Sequence, residues 1–474
     1  MSRALARERR PSLAKLLLIL AGVHMVATVG MWALARSEWR PDLRNQNGYW
    51  NFAIDASDAQ HEAAALRRVL GEDGWRSWMA RQAPIHSRAA SLLMAVFGDS
   101  RLSILPLLTA MYLLLVWMAN RLAGELFGPR AGWLAALIVG LWPSLLLHLT
   151  QLIKDPWFIA GELAVCYAAV LLVETREDRQ GRIVRISVWV VAGFFMASAV
   201  RGYMSEYNCM IWGLACLTLL GVSWRRRALP WRSCLAGAAL LFAFGTATVW
   251  FERNKASGVP PIPESLVMSE RELEMRSKGI SEDALPANQR IWYTSDGQPV
   301  FAERLAYTRG RFSGVLVAIA HARNDFTTFF PYAGSNIDRE VHFTRASDVL
   351  RYMPRALQIG LLAPFPGSWF ERGRETGRLG RMLAGAETAL MYGLLLLTGI
   401  SLVRARTRPG VWMLTAFALG GMLLLGLVVA NVGALYRIRY PFWLAIGMPA
   451  TATLAAWWAG RSRPAVGRGA GADG

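Results

Sequence analysis

This chain of 474 residues contains only four cysteines and six histidines. The cysteines lie in or beside apolar segments and show no metal-ligand spacing, so we expect apolar fillers rather than a disulfide framework or a metal site. They are Cys166, Cys209, Cys216 and Cys234. A Walker A loop, a zinc motif and a Gly-x-Ser-x-Gly elbow are also missing, which argues against the enzyme classes that those motifs define.

Acidic residues are few, with 33 Asp and Glu against 52 Lys and Arg, which gives a formal charge of +19. In a soluble protein such a surplus would raise the question of nucleic-acid binding. Here 54% of the residues are hydrophobic and the mean hydropathy is +0.28. We therefore predict a polytopic membrane protein whose arginines flank its spans, and no nucleic-acid partner.

Ten apolar segments are predicted to cross the bilayer, since a helical crossing needs about 20 apolar residues. The segments are 13–35, 102–123, 132–149, 156–173, 186–200, 206–222, 234–251, 382–403, 411–432 and 440–459. The predicted fold class is therefore an all-α polytopic membrane protein of about ten transmembrane helices.

Arginine-rich connections indicate the orientation of these spans. The N-terminus is basic, and alternation from a cytoplasmic N-terminus places five further basic segments on the same side. These segments are 124–131, 174–185, 223–233, 404–410 and the tail from 460. Both termini are therefore predicted to be cytoplasmic. For the first span the alternative is a signal peptide cleaved after 33–35, which would not flip any later segment.

Two outer loops divide the chain. The first, 36–101, belongs to an N-terminal transmembrane module of residues 1–251 and has amphipathic segments expected to lie along the membrane interface. The second, 252–381, is interpreted as a periplasmic loop domain. Its apolar end, 357–365, is interrupted by prolines and favours a short re-entrant or interfacial piece. Residues 382–474 are predicted to form a C-terminal transmembrane module with a cytoplasmic tail.

Polar groups interrupt the apolar chain at points that all fall on the outer side. They are Asp55 with Asp58, Lys154 with Asp155, Arg201 with Tyr203, and Arg437 with Arg439. Charged groups at a membrane surface are costly, so they are typical of a functional site. We expect these groups to share one active site at that face.

Asp58 is the first candidate for a general base. A carboxylate at a helix N-terminus is stabilised by the helix dipole and can take a proton from an acceptor hydroxyl or amine. The alternative is a helix N-cap, formed by Ser57 or Asp58. Asp55 is a weaker candidate for the same role, and the two carboxylates could instead bind a divalent cation. No other cofactor is expected, and the metal requirement stays open.

Arg201, Arg437 and Arg439 break the positive-inside trend, which favours a functional role. A guanidinium group binds phosphate oxygens in a bidentate way, whereas snorkelling to lipid headgroups is the alternative. Lys154 and Asp155 could contact a phosphate and a sugar hydroxyl, or could mark a helix end as an ion pair, with Pro156 starting the next helix.

Other polar residues are secondary candidates, for contact with an acceptor or for support of the site. They are Tyr203, His61, Glu387 and His342. Glu162 and Glu387 lie within or beside spans, where a buried carboxyl group should have a partner. The outer histidines, which include His86, show no metal spacing and are interpreted as surface or loop residues.

The order of these motifs resembles the GT-C superfamily of integral membrane glycosyltransferases, in the branch of protein O-mannosyltransferases, aminoarabinose transferases and rhizobial core transferases. The resemblance is carried by Asp58-Ala59-Gln60-His61-Glu62, Val96-Phe97-Gly98, Leu126-Phe127-Gly128-Pro129-Arg130, Leu141-Trp142-Pro143, Asp155, Arg201 and Tyr436-Arg437-Ile438-Arg439-Tyr440-Pro441. That family often has Asp-Glu where this chain has Asp58-Ala59, which leaves a role for a single carboxylate.

The resemblance implies a GT-C-like fold in a bacterial inner membrane, with an inverting transfer at the periplasmic face. The donor would be a sugar on a polyprenyl phosphate among the membrane lipids, and the acceptor an envelope glycan, lipid or protein. Arg201, Arg437, Arg439 and Lys154 would bind the donor phosphate. Asp58 would deprotonate the acceptor during attack through an oxocarbenium-like transition state.

Two other functions stay open. An envelope polysaccharide polymerase or O-antigen ligase would share the donor type but depend on outer-loop residues such as Arg323, Arg345 or His342. A glycolipid transporter is the more distant alternative. Transporters place ionisable groups near the bilayer midplane, whereas the charges of this chain are predicted to cluster at one surface.

Overall fold

The structure of the chain is a computed structural model. It describes residues 12–37, 49–53, 55–81, 83–174, 179–201, 204–226, 291–293, 299–301, 335–338, 346–373 and 377–461, with isolated positions in 39–43, 235–246 and 316–343. The predicted span 234–251 and most of the predicted loop domain 252–381 lie outside the described residues.

Helices dominate the described part of the chain, which confirms the predicted all-α class. They are α1 (Leu13–Arg36), α2 (Asp55–Glu72), α3 (Gly74–Ala80), α4 (Ile85–Phe97), α5 (Leu105–Phe127), α6 (Pro129–Gly140), α7 (Pro143–Leu149), α8 (Asp155–Glu174), α9 (Arg179–Ser198), α10 (Ser205–Arg226), α11 (Ala346–Leu362), α12 (Gly377–Arg404), α13 (Pro409–Val428), α14 (Val432–Ile438) and α15 (Tyr440–Arg461). Two short strands, β1 (Ile291–Tyr293) and β2 (Pro299–Phe301), form an antiparallel pair.

Several helices are long and apolar enough to cross a bilayer, so the chain is a multi-pass membrane protein. Within the described residues five segments meet this requirement, and the bent pair α6 and α7 makes a sixth if it counts as one span. The five are α1, Arg101–Phe127, α8, α12 and α13. Helices α9, α10 and α15 also cover predicted spans. The predicted number of about ten stays a prediction.

The predicted span 132–149 is not one continuous helix, because the structure divides it into α6 and α7, which are bent by 63°. Pro143 has no N–H to donate and cannot continue a helix that enters from its N-terminal side. Helix α6 therefore stops at Gly140, and α7 begins at Pro143. The first N–H groups of α7 lie inside the protein and need hydrogen-bond acceptors.

Helix α8 is the centre of the bundle. Apart from Glu162 and the last residue, Glu174, its sequence is apolar on every face after Asp155, and nearly all of its residues are buried. A helix without a polar face is stable only when neighbours surround it. Helices α5, α9, α13 and α15 pack around α8. This packing fixes the position of Asp155, the first residue of α8, at one end of the bundle.

Helices α2 and α4 lie over that end. Ala59 of α2, Ala90 of α4 and Leu152 of the α7–α8 turn belong to one buried cluster. Ala56 of α2 and Ile153 of the same turn belong to a second. The first turns of α2 therefore lie against the start of α8.

The predicted re-entrant piece 357–365 is largely the second half of α11, a 17-residue amphipathic helix that packs on α13. The two helix backbones approach very closely where they cross. A Cβ atom added at Gly426 of α13 would lie 1.9 Å from the carbonyl oxygen of Ala356, and one at Gly360 of α11 would lie 2.1 Å from that of Met422. Small residues permit such contact between helices in a bilayer.

We predict that Gly426→Ala lowers the melting temperature of the detergent-solubilised protein. The added methyl group must push α11 away from α13, and overpacking of this kind costs about 1–3 kcal/mol or more. Gly399→Ala is the matched control, because nothing lies within 4 Å of the position of its added Cβ. Equal melting temperatures for the two variants would contradict the close crossing.

Candidate active site

Four of the predicted site residues meet at the end of the bundle where α8 begins. Asp55 is the first residue of α2, Asp155 is the first residue of α8, Arg201 follows the end of α9, and Arg437 lies on α14. We call these four residues the ion-pair cluster. They come from four separate parts of the chain, and the structure brings them together as the sequence predicts.

Asp155 is the centre of the ion-pair cluster. Its Oδ1 accepts a hydrogen bond from Nη2 of Arg201, and its Oδ2 accepts from Nε and Nη2 of Arg437 at 3.1 and 2.7 Å. The side chains of Asp155 and Arg201 are only 5% and 3% exposed. One buried carboxylate is therefore shared by two arginines.

Asp55 completes the cluster on its exposed side. Nη2 of Arg437 also donates to Oδ2 of Asp55 at 2.9 Å. The side chain of Asp55 is 43% exposed and that of Arg437 is 17% exposed. The cluster thus runs from the buried pair of Arg201 and Asp155 through Arg437 to an accessible carboxylate.

The charges of the cluster keep Arg437 cationic. Burial alone would lower the pKa of Arg437, but the neighbouring carboxylates of Asp155 and Asp55 outweigh burial and raise this pKa above its usual value. Together with Lys154, the cluster holds three cationic and two anionic side chains, a net charge of +1. This end of the bundle therefore favours a further anion.

The structure places Asp55, rather than Asp58, in the cluster. Helix α2 begins at Asp55, so Asp58 lies inside the first turn and is exposed. The alternative of an N-cap at Ser57 or Asp58 is therefore wrong, because both residues lie inside α2. The two carboxylates are three residues apart and lie on neighbouring parts of one helix face. Asp55, the weaker candidate from the sequence, is the carboxylate that contacts Arg437.

Arg439 does not join the ion-pair cluster, which corrects its predicted place beside Arg437. Its Nη1 donates to the carbonyl oxygen of Gly360 at 3.1 Å, and its Nη2 lies 3.6 Å from the sulfur of Met391. Its guanidinium carbon lies 4.8 Å from the ring centre of Tyr436. Arg439 is 1% exposed and connects α11 and α12 to the turn between α14 and α15.

The other candidates lie in different positions. Lys154 is half-buried and directly precedes Asp155 at the start of α8. His61 is exposed, and its ring centre lies 6.3 Å from that of Tyr49. The guanidinium carbon of Arg101 also lies over the Tyr49 ring, 3.9 Å from its centre. Tyr203 and His342 lie outside the described residues.

The two buried glutamates have partners, which confirms that expectation. Oε1 of Glu162 accepts from the amide of Asn208 at 2.6 Å. Glu387 accepts from the backbone N–H and the hydroxyl of Ser144, each at 2.5 Å, and from the hydroxyl of Tyr436. Glu387 therefore supplies an acceptor for the N-terminus of α7.

His86 is buried, so its interpretation as a surface or loop residue is wrong. It lies in the first turn of α4 and is 6% exposed. Burial, with the nearby charge of Lys154, lowers the pKa of His86 to about 4 although Asp155 and Asp55 act in the opposite direction. The amphipathic pattern of α4 could have placed His86 on the buried face, one turn before Ala90.

A small cavity lies beneath the ion-pair cluster. Asp155, Arg437, His148 and Tyr440 supply its polar lining, and the remaining lining residues are apolar. Its volume of about 10 Å³ has room for a single water molecule. A sugar does not fit in this cavity, so the accessible part of the site is the exposed side of the cluster, at Asp55.

A divalent cation does not fit between the two carboxylates as they stand. Nη2 of Arg437 already lies 2.9 Å from Asp55 and 2.7 Å from Asp155, in the place that such an ion would take. Within the described residues no three His, Cys, Asp or Glu side chains gather in a way that could hold a metal ion.

Comparisons with known proteins give a family match to part of the chain. A family model described as dolichyl-phosphate-mannose-protein mannosyltransferase matches residues 81–250. The matched segment runs from α4 to beyond α10 and contains Asp155 and Arg201, whereas Asp55 and Arg437 lie outside it. The match confirms the predicted resemblance to the GT-C superfamily of membrane glycosyltransferases.

A search of curated proteins finds no match. Among solved structures the chain is similar to the archaeal oligosaccharyltransferase AglB from Archaeoglobus fulgidus, solved with an inhibitory peptide and a dolichol-phosphate, with 12% sequence identity and a TM-score of 0.46. The alignment covers 94% of this chain and 50% of that chain, so this chain spans about half the length of that protein.

We predict that Asp155→Asn strongly lowers the melting temperature. The substitution leaves Arg201 and Arg437 without the carboxylate they share, and the loss of one partner of a buried ion pair costs about 3–5 kcal/mol. Asp99→Asn is the control, since Asp99 forms an ion pair with Arg67 in which both side chains are more than a third exposed. Such a surface pair contributes about 0–1 kcal/mol. Equal shifts would mean that the buried pair does not stabilise the fold.

We also predict that stability falls as the pH drops below about 6.5, because His86 has an ordinary pKa near 6.5 when unfolded and about 4 when folded. The unfolded chain then binds the proton more tightly, which removes about 2 kcal/mol of stability between pH 7 and pH 5. Melting temperatures of wild type, His86→Asn and His61→Asn at both pH values test this. The His86 variant should lose the most pH dependence, and the variant of exposed His61 should behave like wild type.

Proposed function

We propose that this chain is an inverting membrane glycosyltransferase that moves a sugar from a polyprenyl-phosphate donor to an acceptor. The observation that carries the proposal is the ion-pair cluster, in which two arginines and an accessible carboxylate meet beside α8. The family match over residues 81–250 supports the same type of donor. No nucleotide-binding loop of the Walker type is present in the sequence, which is consistent with a lipid-linked donor.

Arg437 is the proposed ligand of the donor phosphate, and the buried Arg201, on the other side of Asp155, adds its positive charge to the site. Asp55 already occupies Arg437 with a carboxylate on the accessible side of the cluster. A phosphate that approaches from that side takes the place of the Asp55 carboxylate at Arg437. The guanidinium of Arg437 therefore keeps an anionic partner during the exchange. Asp155 remains buried and holds both guanidinium groups in place.

Asp55 is the proposed general base, because donor binding frees its exposed carboxylate next to the donor. The carboxylate takes the proton from the acceptor O–H or N–H as the acceptor atom bonds to the anomeric carbon. The bond from that carbon to the phosphate oxygen breaks, and its electron pair goes to the phosphate. The fixed charges of Arg437 and Arg201 stabilise the departing phosphate, which lowers the barrier.

The orientation of the spans supports a site on the extracytoplasmic face. The arginine-rich connections end on the opposite side from Asp55, Asp155, Arg201 and Arg437 under the positive-inside rule. We place the site at the periplasmic face of a bacterial inner membrane, with an envelope glycan, lipid or protein as acceptor. Residues 252–381, the proposed loop domain, are the part of the chain that would select this acceptor.

The polymerase or ligase alternative is less well supported. It depends on arginine and histidine residues of the second outer loop. Arg323 donates to the carbonyl oxygens of Val341, Leu427 and Asp338 at 3.0, 3.2 and 2.8 Å and is 1% exposed, so its contacts are structural. Arg345 and His342 lie outside the described residues.

The test compares Asp55→Asn with Asp58→Asn in a deletion strain and in the purified protein. Mass spectrometry of envelope glycans from the deletion strain first identifies the missing sugar and its acceptor. Removal of a general base lowers the rate by about 10²- to 10⁴-fold. We expect this loss for Asp55→Asn, and a change of a few-fold at most for Asp58→Asn.

The opposite order, with Asp58→Asn inactive and Asp55→Asn active, would return the role of base to Asp58. An unchanged glycan profile in the deletion strain would contradict the proposed function. Both variants keep the size of the side chain, so equal melting temperatures show that any loss of activity is not a loss of folded protein.

A further inference from the structure

Glu387 has contacts that the proposed chemistry does not use. It lies on α12, is 1% exposed, and accepts three hydrogen bonds with its two carboxylate oxygens. Two of the donors belong to Ser144, in the first turn of α7, and the third is the hydroxyl of Tyr436 on α14. One carboxylate therefore joins three helices that are far apart in sequence.

The partners of Glu387 lead directly to the cavity beneath the ion-pair cluster. The hydroxyl of Ser144 also lies 2.5 Å from that of Tyr440, and the carbonyl oxygen of Ser144 lies 2.6 Å from Nδ1 of His148. Tyr440 and His148 both line the cavity. Glu387 is thus connected to three polar residues that line the cavity. It reaches Tyr440 and His148 through Ser144, and it reaches Arg437 through the neighbouring Tyr436.

Tyr436 is fixed from two sides. Its hydroxyl donates to Glu387, and the guanidinium of Arg439 lies 4.8 Å from the centre of its ring. Helix α14 has only seven residues, so it has little stability of its own and its position depends on such contacts. Any shift of Tyr436 moves the backbone of Arg437, the next residue.

Glu387 itself does not line the cavity, and its hydrogen bonds go to Ser144 and Tyr436 rather than to the ion-pair cluster. Glu162 offers an instructive comparison. It is also fully buried in a span, but its hydrogen bond goes to Asn208 of α10. Both glutamates are buried, but only Glu387 is bonded to the neighbour of Arg437, Tyr436.

We propose that Glu387 is a positioning residue of the transferase, one that holds Arg437 at the donor phosphate through Tyr436 and holds the cavity walls through Ser144. This role rests on the proposed function. Glu387→Gln replaces one acceptor oxygen by an N–H₂ group, so the two hydroxyl donors and the backbone N–H can no longer all be satisfied. Arg437 then loses its fixed place.

The kinetic test measures kcat and the donor KM for wild type, Glu387→Gln, Tyr436→Phe and the double variant. Charge builds on the phosphate in the transition state, so misplacement of Arg437 lowers kcat more than it raises KM. We expect kcat per folded molecule to fall between about 10- and 100-fold for Glu387→Gln. The kcat of the double variant should be no lower than that of the slower single variant, because both substitutions break the same hydrogen bond between Tyr436 and Glu387.

Glu162→Gln is the matched control, because it makes the same carboxyl-to-amide change at an equally buried site in a span. We expect it to leave kcat per folded molecule unchanged. An equal loss of kcat in Glu162→Gln and Glu387→Gln, or a Glu387→Gln protein with the kcat of wild type, would overturn the proposal. If Glu387→Gln does not fold, Tyr436→Phe removes only one hydroxyl and carries the same test.

A second measurement does not depend on activity. Melting temperatures are compared for Glu387→Gln, Arg437→Met and their combination, and for Glu162→Gln with the same arginine variant. For Glu387→Gln with Arg437→Met, we expect the double variant to lower the melting temperature by less than the sum of the two single shifts. For Glu162→Gln with Arg437→Met, we expect the two single shifts to add. Additive shifts in both pairs would overturn the positioning role. If wild type transfers no sugar, the proposed function fails while this coupling still tests the connection from Glu387 to Arg437.

Discussion

The sharing of Arg437 between Asp155 and Asp55 is the interaction on which the rest of the site depends. A charged side chain at the end of a membrane helix bundle needs a partner, and here one guanidinium connects a buried carboxylate to an accessible one. Arg201 compensates the remaining oxygen of Asp155. The result is a row of alternating charges that is stable without a ligand and that can accept an anion at its exposed end.

The scaffold places that row through two features of the helices. Helix α8 is apolar except for Glu162 and Glu174 and is surrounded by neighbours, so its first residue, Asp155, has a fixed position. The break at Pro143 puts the start of α7 inside the protein, where Glu387 accepts the backbone N–H of Ser144 and also the hydroxyl of Tyr436. The same carboxylate therefore solves a structural problem and fixes the neighbour of Arg437.

Much of this arrangement could be predicted from the sequence. The apolar segments and the arginine bias put the acidic first loop, Asp155, Arg201 and Arg437 on one face, and the structure brings them together. The prediction that Arg437 and Arg439 act together was wrong, because it depends on the direction of each side chain and not only on the place of the residue in the chain. Arg437 and Arg439 are two residues apart at a helix end, so their side chains point to different sides, and only Arg437 reaches the cluster.

Helix boundaries explain two further differences. Helix α2 starts at Asp55 and not at Asp58, so the carboxylate of Asp55 contacts Arg437 and that of Asp58 faces solvent. A helix boundary predicted from sequence can be in error by three residues. The lack of metal-ligand spacing does not decide whether His86 is exposed. Its burial comes from the packing of α4 against α2 and the α7–α8 turn, which the amphipathic pattern of α4 indicates.

A structure of the protein with a polyprenyl phosphate bound tests the account most directly. The account predicts a phosphate oxygen within hydrogen-bond distance of Nη2 of Arg437, in the place that Oδ2 of Asp55 now takes, while Asp155 keeps its bonds to both arginines. A phosphate bound elsewhere, with the ion pair of Asp55 and Arg437 still closed, would contradict it.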